Sequence, residues 1–188
     1  NERLCNPGKY QPLPKQTSCL DCPSGYIQLQ SGGIECMPCQ PGYRCPNAND
    51  EPIICPSGTF APTNSSDCNL CAVGQYQPSP ASKQCLPCPK GFECSQSAMT
   101  QPNPCLAGEY TQDIGSVSCM LCSEGKYKSK NSTQCESCGK GTFCAGKGLQ
   151  QPGICSRGEY QDEQGQTRYF HVYLLYMITL NPLYFVGF

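Results

Sequence analysis

Nineteen cysteines are the residues of this 188-residue chain with the most chemistry to offer. Cys19-x2-Cys22-x13-Cys36-x2-Cys39 has the spacing of a four-thiolate zinc site. The same set recurs at Cys68, Cys71, Cys85 and Cys88, and at Cys119, Cys122, Cys135 and Cys138. The rival chemistry is oxidation to disulfides, and three facts favour it. A zinc scheme would leave Cys5 and Cys45, Cys55 and Cys94, and Cys105 and Cys144 unused. The single histidine, His171, lies near the C-terminus, away from these sets. Two glycosylation sequons, Asn64-Ser65-Ser66 and Asn131-Ser132-Thr133, signal a secretory route on which thiols oxidise.

Six cysteines per repeat permit many pairings, and sequence does not choose among them. The preferred scheme closes each loop locally: Cys5–Cys19, Cys22–Cys36 and Cys39–Cys45, then Cys55–Cys68, Cys71–Cys85 and Cys88–Cys94, then Cys105–Cys119, Cys122–Cys135 and Cys138–Cys144. Cys155 opens a fourth set whose partner is missing and is left unpaired. At about 3 kcal/mol per loop of ~15 residues, such bridges raise the unfolded state by about 25 kcal/mol as an upper bound.

Other chemistry is sparse. Cys155 and His171 could in principle form a nucleophile pair, but an unpaired cysteine at a truncated repeat is the simpler reading. The run Asn47-Ala48-Asn49-Asp50-Glu51 offers oxygens to a Ca²⁺ ion. The later repeats lack it, so it reads as a solvated joint. There is no Gly-rich phosphate loop, no Trp and no carboxylate pair in a recognisable frame. No enzyme activity, cofactor or metal is expected.

The cysteines are positioned by one short motif: Cys, two residues, Gly, then an aromatic one or two places on. It occurs ten times, opening at Cys5, Cys22, Cys39, Cys55, Cys71, Cys88, Cys105, Cys122, Cys138 and Cys155. Its physical reading is a tight turn in which Gly adopts a positive φ that a Cβ would penalise, with the ring lying over the sulfurs. Cys5, Cys55, Cys105 and Cys155 are spaced by 50 residues, which groups the units into a larger period. The domains expected are repeat one over 5–54, repeat two over 55–104, repeat three over 105–154, a truncated fourth over 155–168 and an apolar tail over 169–188. Fixed-period self-similarity signals a linear array in which each repeat touches its neighbours.

Composition agrees with a stapled array. Leu, Ile, Val and Phe make up only 30 of the 188 residues, and ten of those fall in the last 20. A chain so poor in apolar side chains cannot offset its conformational entropy with a core. With 18 Pro and 19 Gly, little or no helix is expected in 1–168, only sparse short β-hairpins. A net charge of −1 with no basic stripe argues against nucleic acid as a partner.

The pattern Cys-x-x-Gly-x-Tyr/Phe followed by Cys-x-x-Cys, over residues 5 to about 160, resembles the ephrin-receptor-like cysteine-rich repeat. It is more distantly similar to the cysteine-rich modules of tumour necrosis factor receptors. The resemblance implies an elongated, disulfide-laddered, non-enzymatic rod, placed outside the cell or on its outer surface. It transfers only scaffold positions and no catalytic residues. The partners it implies are proteins: copies of the chain or adjacent repeats. N-linked glycans are expected at Asn64 and Asn131.

Residues 169–188 depart from the pattern, with twenty residues free of Lys, Arg, Asp and Glu. A membrane span, a lipid-anchor signal, a variant terminus and an apolar strap for a neighbouring protomer all fit the run. The opening Asn1-Glu2-Arg3-Leu4 shows no signal peptide, so the chain reads as a processed form or an internal fragment. The function expected is a structural or adhesive extracellular protein, as a protomer of a surface filament; the alternative is a receptor ectodomain.

Overall fold

The computed structural model describes residues 4–13 and 17–172. It forms two compact units, Asn1–Asn103 with Asp113–Ser118, and Pro104–Gln112 with Cys119–Phe188. No described residue is helical. The first unit carries six of the Cys-x-x-Gly turns and the second carries four.

Every turn feeds a two-residue strand. In the first unit Lys9–Tyr10 pairs antiparallel with Leu20–Asp21, and Tyr26–Ile27 with Met37–Pro38. Tyr43–Arg44 pairs with Ile53–Ile54, Thr59–Phe60 with Asn69–Leu70, and Gln75–Tyr76 with Leu86–Pro87. The second unit repeats the arrangement. There Glu109–Tyr110 pairs with Met120–Leu121, Lys126–Tyr127 with Glu136–Ser137, and Thr142–Phe143 with Gly153–Ile154. The outgoing strand thus follows the glycine, and the returning strand is the pair of residues just before the next turn. Ribbons this short are marginal in water by themselves.

Stacking supplies what the ribbons lack. In the first unit the turn-glycine N–H donates to the carbonyl of a residue in the next turn: Gly8 to Gln28 at 2.7 Å, Gly42 to Ala61 at 2.8 Å and Gly58 to Gln77 at 2.8 Å. Each acceptor lies six places after its own opening cysteine. Its N–H in turn donates one turn further on, Gln28 to Ala48 at 2.8 Å and Gln77 to Met99 at 2.9 Å. In the second unit Gly108 donates to Lys128 at 2.8 Å, Gly125 to Cys144 at 3.0 Å and Gly141 to Gln161 at 2.7 Å. The backbone polar groups of consecutive turns therefore satisfy one another.

The interior is made of sulfur. Of the twelve buried hydrophobic residues among those described, ten are cysteines, joined by Ile27 and Ala61. Beside Cys39 and Cys45 the buried set is completed by Ile27, with Leu29 and Tyr43 packed against this cluster. In other ribbons the aromatic residue stands opposite an apolar cross-strand partner in the register, Tyr10 opposite Leu20 and Tyr110 opposite Met120.

The fold runs past residue 168, where the sequence pattern ends. Glu159–Tyr160 pairs with Phe170–His171, inside the segment read as an apolar tail. Val172 N–H donates to the Gly158 carbonyl at 2.8 Å, the bond that a turn-opening cysteine makes elsewhere. The rest of the apolar run, 173–188, lies outside the described residues. Among the described residues no helix is long and apolar enough to cross a membrane.

Candidate functional site: a disulfide scaffold with repeated exposed rungs

The turn can be built from its glycine. All ten motif glycines have positive φ, between 75° at Gly141 and 88° at Gly158. Gly25 and Gly42 show a second constraint. A methyl group on Gly25 would overlap the carbonyl of Asn64, and one on Gly42 the carbonyl of Ala81. Those loop residues, two turns further along, are themselves left-handed, with φ of 64° at Asn64 and 54° at Ala81. Ala98 (φ 59°) stands in the same relation to Gly58. A left-handed alanine is unfavourable in isolation. Here it is held by a bond from its own N–H: Ala81 to the Cys55 carbonyl at 2.9 Å and Ala98 to the Cys71 carbonyl at 2.8 Å.

The sixth residue after each opening cysteine is a position that sequence reasoning missed. Gln28, Gln77, Thr111, Lys128 and Gln161 occupy it and are buried, as are Ala61 and the bridged Cys45, Cys94 and Cys144. The buried glutamines close their own loops. Gln28 Nε2 donates to the Glu35 carbonyl at 2.7 Å while its Oε1 accepts from Gln30 N–H at 3.0 Å. Gln77 does the same with Gln84 and Ser79, and Gln161 with Arg168 and Glu163. At Lys128 the ammonium donates to the Leu106 carbonyl at 3.2 Å. No buried side-chain polar atom among the described residues lacks a partner. The recurrence of Gln at 11, 28, 77 and 161, always six places after a cysteine, is the signal that could have found this position.

The structure joins Cys5 to Cys19, Cys22 to Cys36 and Cys39 to Cys45. It joins Cys55 to Cys68, Cys71 to Cys85 and Cys88 to Cys94. In the second unit it joins Cys105 to Cys119, Cys122 to Cys135 and Cys138 to Cys144. The zinc-like quartet Cys19, Cys22, Cys36 and Cys39 is thereby divided among three bridges, so its thiols do not converge on one ion. Cys155 is half-buried and forms no disulfide.

The other sequence candidates fall in separate places. Asn64 is exposed, and its Nδ2 donates to the Tyr26 hydroxyl at 3.0 Å. Asn131 is exposed on a turn of the second unit. In the Asn47–Glu51 run, Asn47 Nδ2 donates to Asp50 Oδ2 at 2.7 Å, so this pair satisfies itself. His171 is exposed and meets the Tyr169 ring edge-on at 5.4 Å. The neighbouring Glu159, by charge and by hydrogen bonding, holds the Tyr169 phenol above its ordinary range. Tyr127 is raised chiefly by desolvation, then by Glu136, whose carboxylate accepts its hydroxyl at 3.2 Å.

Residues 58–105 match the family model for tyrosine-protein kinase ephrin type A/B receptor-like segments. That segment carries the ephrin-receptor-like cysteine-rich repeat. The matched segment begins at the glycine of one turn and closes at the first cysteine of another, spanning the Cys71–Cys85 and Cys88–Cys94 bridges. No curated protein matches the chain. The ephrin-receptor-like repeats are a receptor-like, extracellular type of module, and contact with other proteins is what such modules do. Nine disulfides in tandem agree with an oxidising compartment.

Proposed function

We propose that this chain is a non-enzymatic structural or adhesive protein of the cell exterior, a protomer of a surface filament built through protein–protein contacts. The observation that carries the reading is repetition. The same turn, ribbon and hydrogen-bonded stack recur in each unit, and their outward-facing positions recur with them. A protein that must span distance and offer one weak contact many times needs this regularity, whereas a catalytic site needs a departure from it. Asn64 and Asn131 are the proposed glycan attachment points, both at the surface. The apolar run over 169–188 supplies a membrane contact or a strap in this reading.

The test is the state of the secreted full-length chain. Light scattering over a wide concentration range, with negative-stain imaging, is expected to show open-ended assemblies. A constant monomer mass at every concentration overturns the filament. A receptor-like ectodomain is the alternative, favoured by the family match itself. It would instead stay monomeric and require detergent through its C-terminal run.

A further inference from the structure

We propose that the contact between copies is made by one row of exposed apolar side chains on the returning strands of the first unit, and that the occupant of this row is the same row of a second chain. The inference rests on the self-associating reading above and names its surface.

The row is defined by register. Leu20, Met37, Ile53, Asn69 and Leu86 are the cross-strand partners of Tyr10, Ile27, Arg44, Phe60 and Tyr76. They are one structural position repeated, each being the first residue of a returning strand. Four of the five are large and apolar, and those four are between 38% and 50% exposed. At the fourth rung the position is held by the uncharged Asn69, while the exposed Leu70 beside it points to the other face of the ribbon. Isolated surface leucines need no explanation, but a large apolar side chain at the same position in four of five successive rungs does. From Met37 to Pro87 no returning-strand residue is charged. Lys9 pairs with Asp21 at 2.7 Å and Arg44 with Asp67 at 3.4 Å, so these flanking charges are neutralised.

The chemistry of the row selects its occupant. An extended peptide would need a continuous strand edge, yet each returning strand is two residues long and Pro38 and Pro87 have no N–H to donate. An anionic membrane would be held by basic residues, and Lys9 and Arg44 beside the row are already paired. The rung positions recur every 16 or 17 residues along the sequence. A partner that meets every rung must share that step, and a second copy of this chain does. Because the rungs are alike, two rows can meet offset by some rungs, so that each row spans two others and the contact stays open instead of closing as a dimer.

The experiment uses the full-length chain carrying Met37→Glu, Ile53→Glu and Leu86→Glu together, compared with Ile34→Glu plus Val73→Glu. The control residues are exposed apolar positions outside the row. Sedimentation equilibrium is expected to show the association constant of the row variant reduced about 100-fold or more, because carboxylates then face carboxylates. The control should stay within about twofold of the unmodified chain. A milder variant, with Ser at the same three positions, should lose about tenfold, and a count of one free thiol certifies the fold of each protein. A row variant with the native thiol count and undiminished association overturns the row while leaving self-association intact. An unmodified chain that is monomeric throughout overturns both. Row-dependent binding to phosphatidylcholine vesicles, without self-association, also overturns the proposal and assigns the surface to lipid.

Discussion

The turn that opens at Cys122 and the one that opens at Cys155 lie in the same compact unit and share a backbone, yet only the first is bridged. Their glycines have φ of 79° and 88°. Their ribbons have matching registers, Tyr127 opposite Glu136 and Tyr160 opposite Phe170. Cys138 N–H reaches the Gly125 carbonyl at 3.0 Å, and Val172 N–H reaches that of Gly158 at 2.8 Å. The sixth residue is buried in both, Lys128 in one and Gln161 in the other. Where Cys135 closes the earlier loop, Tyr169 occupies the corresponding place, with its ring 4.9 Å from that of Phe143. A second ring pair, Tyr160 and Phe170 at 5.6 Å, lies across the ribbon. The turn is thus specified by glycine, the buried sixth residue and its stacking bonds. The bridge acts mainly by restricting the unfolded chain.

The largest effect should come from the glycine. At Gly125 a Cβ would overlap the carbonyl of Gly165, whereas at Gly158 nothing lies within 4 Å. Gly125→Ala is expected to cost about 3–5 kcal/mol, since backbone must move, and Gly158→Ala about 1 kcal/mol for the positive φ alone. Yields of the fully bridged species on oxidative refolding provide the measurement. Equal yields would remove the glycine from its role.

Bridge substitutions sharpen the contrast. Replacing Cys122 and Cys135 together with Ser should cost about 3 kcal/mol for a closed loop of this size. Cys155→Ser should cost within about 0.5 kcal/mol, because no bridge is lost. If the two turns are equivalent, Tyr169→Cys forms a tenth bridge with Cys155, takes the free-thiol count to zero and stabilises the last turn against denaturant by about 3 kcal/mol. A persistent free thiol in that variant would show that the backbones differ.

The buried amide should matter less than Gly125 or the Cys122–Cys135 bridge. Gln161→Ala removes the bonds to Arg168 and Glu163 and should cost about 1–2 kcal/mol, read as faster exchange of the Glu163 amide. Gln77→Ala, in a turn whose loop is also closed by Cys71–Cys85, should accelerate the Ser79 amide less.

Much of the fold was legible because its determinants are local. A glycine three places after a cysteine announces positive φ through the missing Cβ, and ten copies in register announce an array. The scarcity of Leu, Ile, Val and Phe demanded staples, and nine disulfides in tandem serve as the interior. The spacing of Cys19, Cys22, Cys36 and Cys39 could not decide between metal and bridges. Spacing records separation along the chain, not which sulfurs meet. The missing cysteine near 168 marks the expected tail boundary, and Phe170–His171 crosses it because ribbon pairing rests on backbone bonds, such as that from Val172 N–H to the Gly158 carbonyl.

The sequence by itself determined the turn, the ribbon that follows it and the need for covalent closure, because these rest on properties of single residues and their near neighbours. Only the tertiary structure decided why Gly25 and Gly125 must lack a side chain for a second reason, why the sixth residue is buried, and which apolar residues remain outside. Each of these depends on how far one turn rises above the next. That rise is set by hydrogen bonds between turns, such as Gly8 to Gln28 and Gly108 to Lys128, which join residues about twenty apart and leave no local mark in the chain.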